Sequence, residues 1–238
     1  VPPSPVLSTI SRPWALVGAG LFAVSLGYVL FSYAVTFGRP ATGHPQAADA
    51  IWNAGLFSAF ALHHSIFARR PVRRLVARMV PTDLERPFYV TVASVLLMLV
   101  CTWWRPVPGI AWELPVPISW LAYVAGAAGV WLTLRSAAIV GIGELSGLSP
   151  SPPAGAGPVE FKTSGPYGWV RHPIYAGWCL IVFAAPVMTL TRLEFAVVST
   201  LYVVLAIPLE EATLRVTAGE AYARYSARVK WRMVPGLY

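Results

Sequence analysis

The sequence predicts an all-α polytopic membrane helix bundle, and three observations carry that expectation. Of the 238 residues, 56% are hydrophobic and only 12% charged, about half the charged share of a soluble domain. The apolar residues gather in long runs separated by polar or proline-rich stretches. The basic residues flank those runs, and the ten Trp residues recur near their ends, as in interfacial belts. The net charge of +8 therefore reads as positive-inside loops and not as a face for nucleic acid.

In chain order, residues 1–13 are rich in Pro and Ser and read as loosely ordered. Residues 14–37 are apolar over about 24 positions, too long for a signal-peptide core and long enough to span. A polar loop at 38–50 leads to a second segment, 51–68, with His63, His64 and Ser65 near its end. The most basic loop follows, setting Arg69, Arg70, Arg73, Arg74, Arg78 and Arg86 against Asp83 and Glu85. Pro87 opens a short third segment at 88–104. Pro106, Pro108, Pro115 and Pro117 then punctuate the approach to a fourth at 118–140. The connection 141–170 is the longest one, rich in Ser, Pro and Gly around 149–157, and a loop of this kind suits a lid. Gly141 and Gly143 follow no strand, so they suit helix packing better than a nucleotide fingerprint.

Segments five and six form a C-terminal helical hairpin. The apolar run from Pro173 reaches Leu190, turns through Thr191, Arg192, Leu193 and Glu194, and returns from Phe195 to Leu209. A cytoplasmic amphipathic tail extends to Val229, with Tyr222, Tyr225 and Val229 on one face and Glu220 placed to pair Arg224 at i+4. About six transmembrane segments result. A cytoplasmic basic loop then places both termini, the long loop and Glu210-Glu211 on that side, in a bacterial inner membrane. The whole, 1–238, reads as one integral-membrane domain, with four spans in 1–140 and the loop, hairpin and tail in 141–238. Cys101 and Cys179 lie inside apolar runs as packing residues, and neither a disulfide framework nor a metal site is readable.

The hairpin carries the chemistry. Its arms match, at about 16 to 18 residues or roughly 25 Å each, so their outer ends lie at one depth. His172 holds the cap position before Pro173, and with Tyr175 it faces Glu210 and Glu211 across a short gap. Adjacent carboxylates repel each other and, at a helix C-terminus, oppose its dipole, so a cation or hydroxyl groups should compensate them. The opposite arm offers the free N–H groups of a helix start to an anion. A ligand with a cation, hydroxyls and a carboxylate suits both ends, and S-adenosylmethionine is one. The plainer readings make His172 a simple cap and the carboxylates interfacial charges; the combination favours a site.

The stretch Arg171-His172-Pro173-Ile174-Tyr175-Ala176-Gly177, the hairpin and Glu210-Glu211 resemble the integral-membrane methyltransferases. That group holds isoprenylcysteine carboxyl methyltransferases, phospholipid N-methyltransferases and bacterial methanethiol S-methyltransferases. Gly219, Glu220, Tyr222, Tyr225, Val229 and Pro235 are similar to the tails of the same families. The resemblance implies cofactor-binding roles for Tyr167, His172, Pro173, Tyr175, Gly177, Glu210 and Glu211. A second resemblance, to the methanethiol S-methyltransferases, rests on the stretches 62–69, 85–90, 144–148 and 185–189; the chain departs from it at Ser149-Pro150 and Gly141-Ile142-Gly143. It implies methyl transfer to a small or lipid-like apolar acceptor, most simply a thiol, which must become thiolate to attack. His64, Arg171 and Glu144 are the candidates for that catalytic side. Arg171 could instead anchor the membrane edge or hold an anion, and His64 could be a packed polar residue. Two readings of other classes compete: a sterol-type membrane reductase, for which the long loop offers little basic character beyond Lys162 and Arg171, and a haem or transport protein using His63, His64 and His172.

Overall fold

The computed structural model describes residues 11–67, 83–149 and 163–238, together with positions 69, 72, 75, 78 and 81. Arg70, Arg73 and Arg74 of the basic loop, residues 150–162 with Pro150 and Lys162, and residues 1–10 lie outside the described residues. The chain is mostly helical and divides into two compact units. Among the described residues, four helices are long and apolar enough to cross a membrane: Ser11–Thr36, Glu85–Trp103, Val116–Val140 and Leu190–Arg228.

The first unit holds α1 (Ser11–Phe31) with a π-helical turn at Ser32–Thr36, α2 (Ala47–Phe67), α3 (Glu85–Trp103) and the short α5 (Ile142–Ser146). Small residues let α1 lie close to α3. A Cβ at Gly18 would come within 3.1 Å of Thr91 Oγ1 and 3.2 Å of the Pro87 carbonyl, while Ser25 and Ser94 are buried. α2 runs antiparallel to α3 and is stitched to its end. Buried Asn53 donates to the Arg105 carbonyl and accepts from the Arg105 N–H, both at 2.8 Å. These bonds serve backbone groups released where the helix stops. α2 has the length of a span, but Asp49, Asn53, His63 and His64 lower its apolar character.

The second unit holds β1 (Ile110–Glu113), α4 (Val116–Val140), a 3-10 turn (Gly165–Gly168), α6 (Pro173–Phe183), β2 (Val187–Thr189) and α7 (Leu190–Arg228). α4 and α6 meet at two glycines. A Cβ on Gly177 would sit 2.3 Å from Thr133 Oγ1 and 2.7 Å from the Gly129 carbonyl, so no other residue fits without moving a helix. Gly177, read from sequence as a cofactor residue, lies against α4 in the structure.

α6 and α7 follow each other and make contact, but the turn between them is not where the apolar pattern put it. α6 ends at Phe183 after 11 residues, roughly 16 Å, and the turn occupies residues 184–189. There β2 pairs antiparallel with β1, Trp112 opposite Met188, and Trp112 Nε1 donates to the Ala185 carbonyl at 3.1 Å. Thr189 caps α7 by accepting from the Arg192 N–H at 3.1 Å, so Thr191 to Glu194 form its first turn. The arms are therefore unequal. Nor does α7 stop at Glu211: it passes through Pro208 and reaches Arg228, broken only at Gly219 (φ 49°, ψ −125°). Glu210 and Glu211 are consequently mid-helix, and the dipole argument for their compensation does not apply.

Candidate functional site

The site is built where the approach to α6 meets the middle of α7 and the C-terminal tail, all within the second unit. The 3-10 turn brings the chain in, with Gly165 left-handed at φ 57°. Arg171 and His172 then pair through their backbone N–H groups with the carbonyls of Trp231 and Arg232, at 2.9 and 2.8 Å. His172 is the N-cap of α6 and Pro173 opens the first turn, but the imidazole makes no capping bond. It turns instead toward α7 and stacks on Tyr175, centroids 5.6 Å apart and planes within 6°.

Consecutive residues on a helix point about 100° apart, and this separates the two carboxylates. Glu211 is fully buried. Its Oε1 accepts from Arg171 Nε at 2.7 Å and lies 3.4 Å from His172 Nε2. Its Oε2 accepts from Arg215 Nη2 and Arg232 Nη2, each at 3.2 Å, and from Arg232 Nε at 3.3 Å. A carboxylate offers about four lone-pair positions, so Glu211 has no capacity left for a ligand. Glu210 is 45% exposed and accepts from the Tyr175 hydroxyl at 3.1 Å. The sequence reading gives both carboxylates to the cofactor; in the structure Glu210 is the exposed one and Glu211 is a hub for three arginines.

Arg171 is spent internally as well. Besides Glu211, its Nη1 donates to the carbonyls of Val229 and Lys230 at 2.8 and 2.7 Å. It fixes the tail, and neither the membrane-edge nor the catalytic role is needed to account for it. The tail closes from the other side: Tyr222, Tyr225 and Val229 pack together, and the Tyr225 hydroxyl donates to the Tyr167 carbonyl at 2.9 Å. The expected shared face is present, and so is the Arg224–Glu220 pair, at 3.3 Å.

Protonation follows from the same contacts. Burial lowers the His172 pKa from its ordinary value, against the pull of Glu210 and Glu211, so the ring is neutral at neutral pH. A carboxylate can only accept, so the proton sits on Nε2 facing Glu211 and Nδ1 carries the lone pair. That lone pair lies 3.8 Å from Glu210 Oε2. Nδ1 and Glu210 Oε2 are thus neighbouring acceptors, and Oε2 already takes the proton of the Tyr175 hydroxyl at 3.1 Å. Burial also raises the Tyr167 pKa, with Tyr225 and Glu210 acting in the same direction, so this phenol stays protonated.

The remaining candidates lie in the first unit. Glu144 is exposed, and its backbone carbonyl, not its carboxylate, accepts from the Arg86 guanidinium. His64 Nδ1 is 2.9 Å from the Tyr89 hydroxyl, which also donates to the His64 carbonyl at 3.2 Å. Both contacts hold together when Nδ1–H donates to the phenol oxygen, and Nε2 then keeps the lone pair. Sequence reasoning missed Arg215, Arg232, Tyr89 and Asn53. Arg215 lies at i+4 from Glu211, a spacing that signals a pair; Arg232 has no local signal.

Comparisons with known proteins bear on this geometry. Residues 158–216, which include His172, Tyr175, Glu210, Glu211 and Arg215, match the isoprenylcysteine carboxyl methyltransferase (ICMT) family. The chain is 35% identical over 180 residues to a methanethiol S-methyltransferase of Crocosphaera subtropica, covering 74% of this chain and 71% of that one. It is 33% identical over 232 residues to a methanethiol S-methyltransferase of Mycobacterium tuberculosis, covering 90% and 93%. A Nurim homolog of Drosophila melanogaster is 28% identical over 173 residues, covering 68% and 67%. No solved structure matches the chain.

Proposed function

Since the chain belongs to the isoprenylcysteine carboxyl methyltransferase family, and is a membrane methyltransferase close to the bacterial methanethiol S-methyltransferases, we propose that it moves a methyl group from S-adenosylmethionine to a small thiol. The carrying observation is the pair of facing acceptors, His172 Nδ1 and Glu210 Oε2, 3.8 Å apart. Ribose hydroxyls or an ammonium group suit this pair, since Glu210 is 45% exposed and a carboxylate accepts further donors beside Tyr175. Tyr175, bonded to Glu210 and stacked on His172, holds both in place.

The sulfonium supplies an already activated methyl group, so the protein needs to orient, to exclude water and to provide a thiolate. Methanethiol is the acceptor we favour, from the names of the relatives. The site carries Arg171, Arg215, Arg224, Arg228, Lys230 and Arg232 around it, and the positive-inside rule then sets it on the cytoplasmic face, where the donor is made. We count α2 and the short α6 among six crossings on the same reading.

Titration calorimetry of the purified protein with S-adenosylhomocysteine tests the cofactor reading. Glu210→Gln removes one charged acceptor and should weaken binding about tenfold to a hundredfold, the range for a charge-assisted hydrogen bond of roughly 1.5–3 kcal/mol. Unchanged affinity in the variant would remove Glu210 from the site.

A further inference from the structure

The arginine hub carries more positive charge than the chain neutralises. Three guanidinium groups, Arg171, Arg215 and Arg232, converge on the single carboxylate of Glu211, and Glu210 is engaged by Tyr175. The three are not equivalent. Arg171 is nearly buried and bonds Glu211, Val229 and Lys230. Arg232 spends Nε and Nη2 on Glu211 and lies over the Tyr238 ring at 5.0 Å. Arg215 is 57% exposed, gives Glu211 one N–H, and lies 5.9 Å over the Tyr222 ring. A guanidinium carries five N–H donors in a planar fork suited to a carboxylate. Arg215 therefore keeps most of its donors while its stem is oriented by two contacts.

Its position along α7 fits the same purpose. Arg215 lies five residues beyond Glu210, in the helical stretch before the break at Gly219, a rise of about 7.5 Å. Arg215 is also about 140° around the helix from Glu210. His172 nevertheless bridges the two faces, 3.8 Å from Glu210 and 3.4 Å from the carboxylate that Arg215 binds, so a ligand at Glu210 and His172 can extend toward the hub. We propose that Arg215 binds the α-carboxylate of the methyl donor, which fixes the donor's amino-acid end. This rests on the S-adenosylmethionine reading above, and it moves the anion contact from the α6 N-terminus and Arg171 to a residue of α7. Arg215 is selective for the carboxylate and contributes nothing to the adenosine end.

Two probes separate that role from a structural one: S-adenosylhomocysteine, and its decarboxylated form, which keeps the amine and lacks only the carboxylate. Calorimetric affinities are measured for the parent, Arg215→Gln and Arg215→Lys, with a thermal melt of each. The parent should bind the complete compound about tenfold to a hundredfold more tightly than the decarboxylated one. Arg215→Gln should abolish that preference, leave the decarboxylated compound within about twofold, and melt near the parent, because an exposed i,i+4 pair adds little stability. Arg215→Lys should restore part of the preference. Equal weakening of both compounds, or no weakening of either, overturns the assignment. A parent that binds neither compound overturns the cofactor reading itself, and this assignment with it.

Discussion

Glu211→Gln should loosen the hairpin and tail, whereas the adjacent Glu210→Gln should leave them intact. Glu211 is fully buried, with Arg171 Nε at 2.7 Å and both Arg215 and Arg232 at 3.2 Å. Arg215 is the most exposed of the three and contributes little to stability. Arg171 is 10% exposed, so removing its counter-charge strands a nearly buried cation. Breaking a buried pair in this way costs roughly 3–5 kcal/mol, or about a hundredfold to several thousandfold in the population of an opened tail. Arg171 also holds the carbonyls of Val229 and Lys230, so the opening should free the backbone beside Arg228 and Lys230, whose side chains are already exposed, for cleavage by trypsin. Limited proteolysis in lipid nanodiscs reads this directly: rapid cleavage in Glu211→Gln, slow cleavage in the parent and in Glu210→Gln. If Glu211→Gln resists trypsin like the parent but loses S-adenosylhomocysteine, Glu211 is a ligand group and the hub account is wrong.

Two other outcomes follow. Gly177→Ala places a Cβ 2.3 Å from Thr133 Oγ1 and should destabilise by about 1–3 kcal/mol, read as a lower melting temperature; an unchanged melt would mean that α4 and α6 lie further apart. Because burial lowers the His172 pKa from its ordinary value, its lone pair is present at neutral pH and is lost only as pH falls through a pKa below that ordinary value. S-adenosylhomocysteine affinity should then be flat above pH 6.5 and decline below it in the parent, and lose that acid-side decline in His172→Gln.

Much of this was legible because it is local. His172 before Pro173, the Tyr222–Tyr225–Val229 face and the Glu220–Arg224 pair all lie within a turn or two of helix. Three other features were hidden. The turn moved to residues 184–189 because β2 finds its partner in β1, more than seventy positions earlier, and no local pattern in an apolar run shows that. Glu210 and Glu211 look alike in sequence, and their division depends on which side of α7 the tail covers. Arg232 reaches Glu211 from beyond the end of the helix, so the hub could not be counted until the tail was placed. The glycine contact between α4 and α6 gave no signal either, because small residues in apolar runs carry no periodicity.

The central claim is that this hairpin presents S-adenosylmethionine to a thiol. Its most direct measurement is transfer of a labelled methyl group from S-adenosylmethionine to methanethiol by the purified protein in nanodiscs, with Glu210→Gln beside it. The account predicts labelled dimethyl sulfide from the parent and a strongly reduced rate from the variant at subsaturating donor. A parent that is folded and binds S-adenosylhomocysteine, yet labels a phospholipid or a prenylcysteine and no thiol, would contradict the acceptor. A parent that labels nothing and binds no S-adenosylhomocysteine would contradict the site.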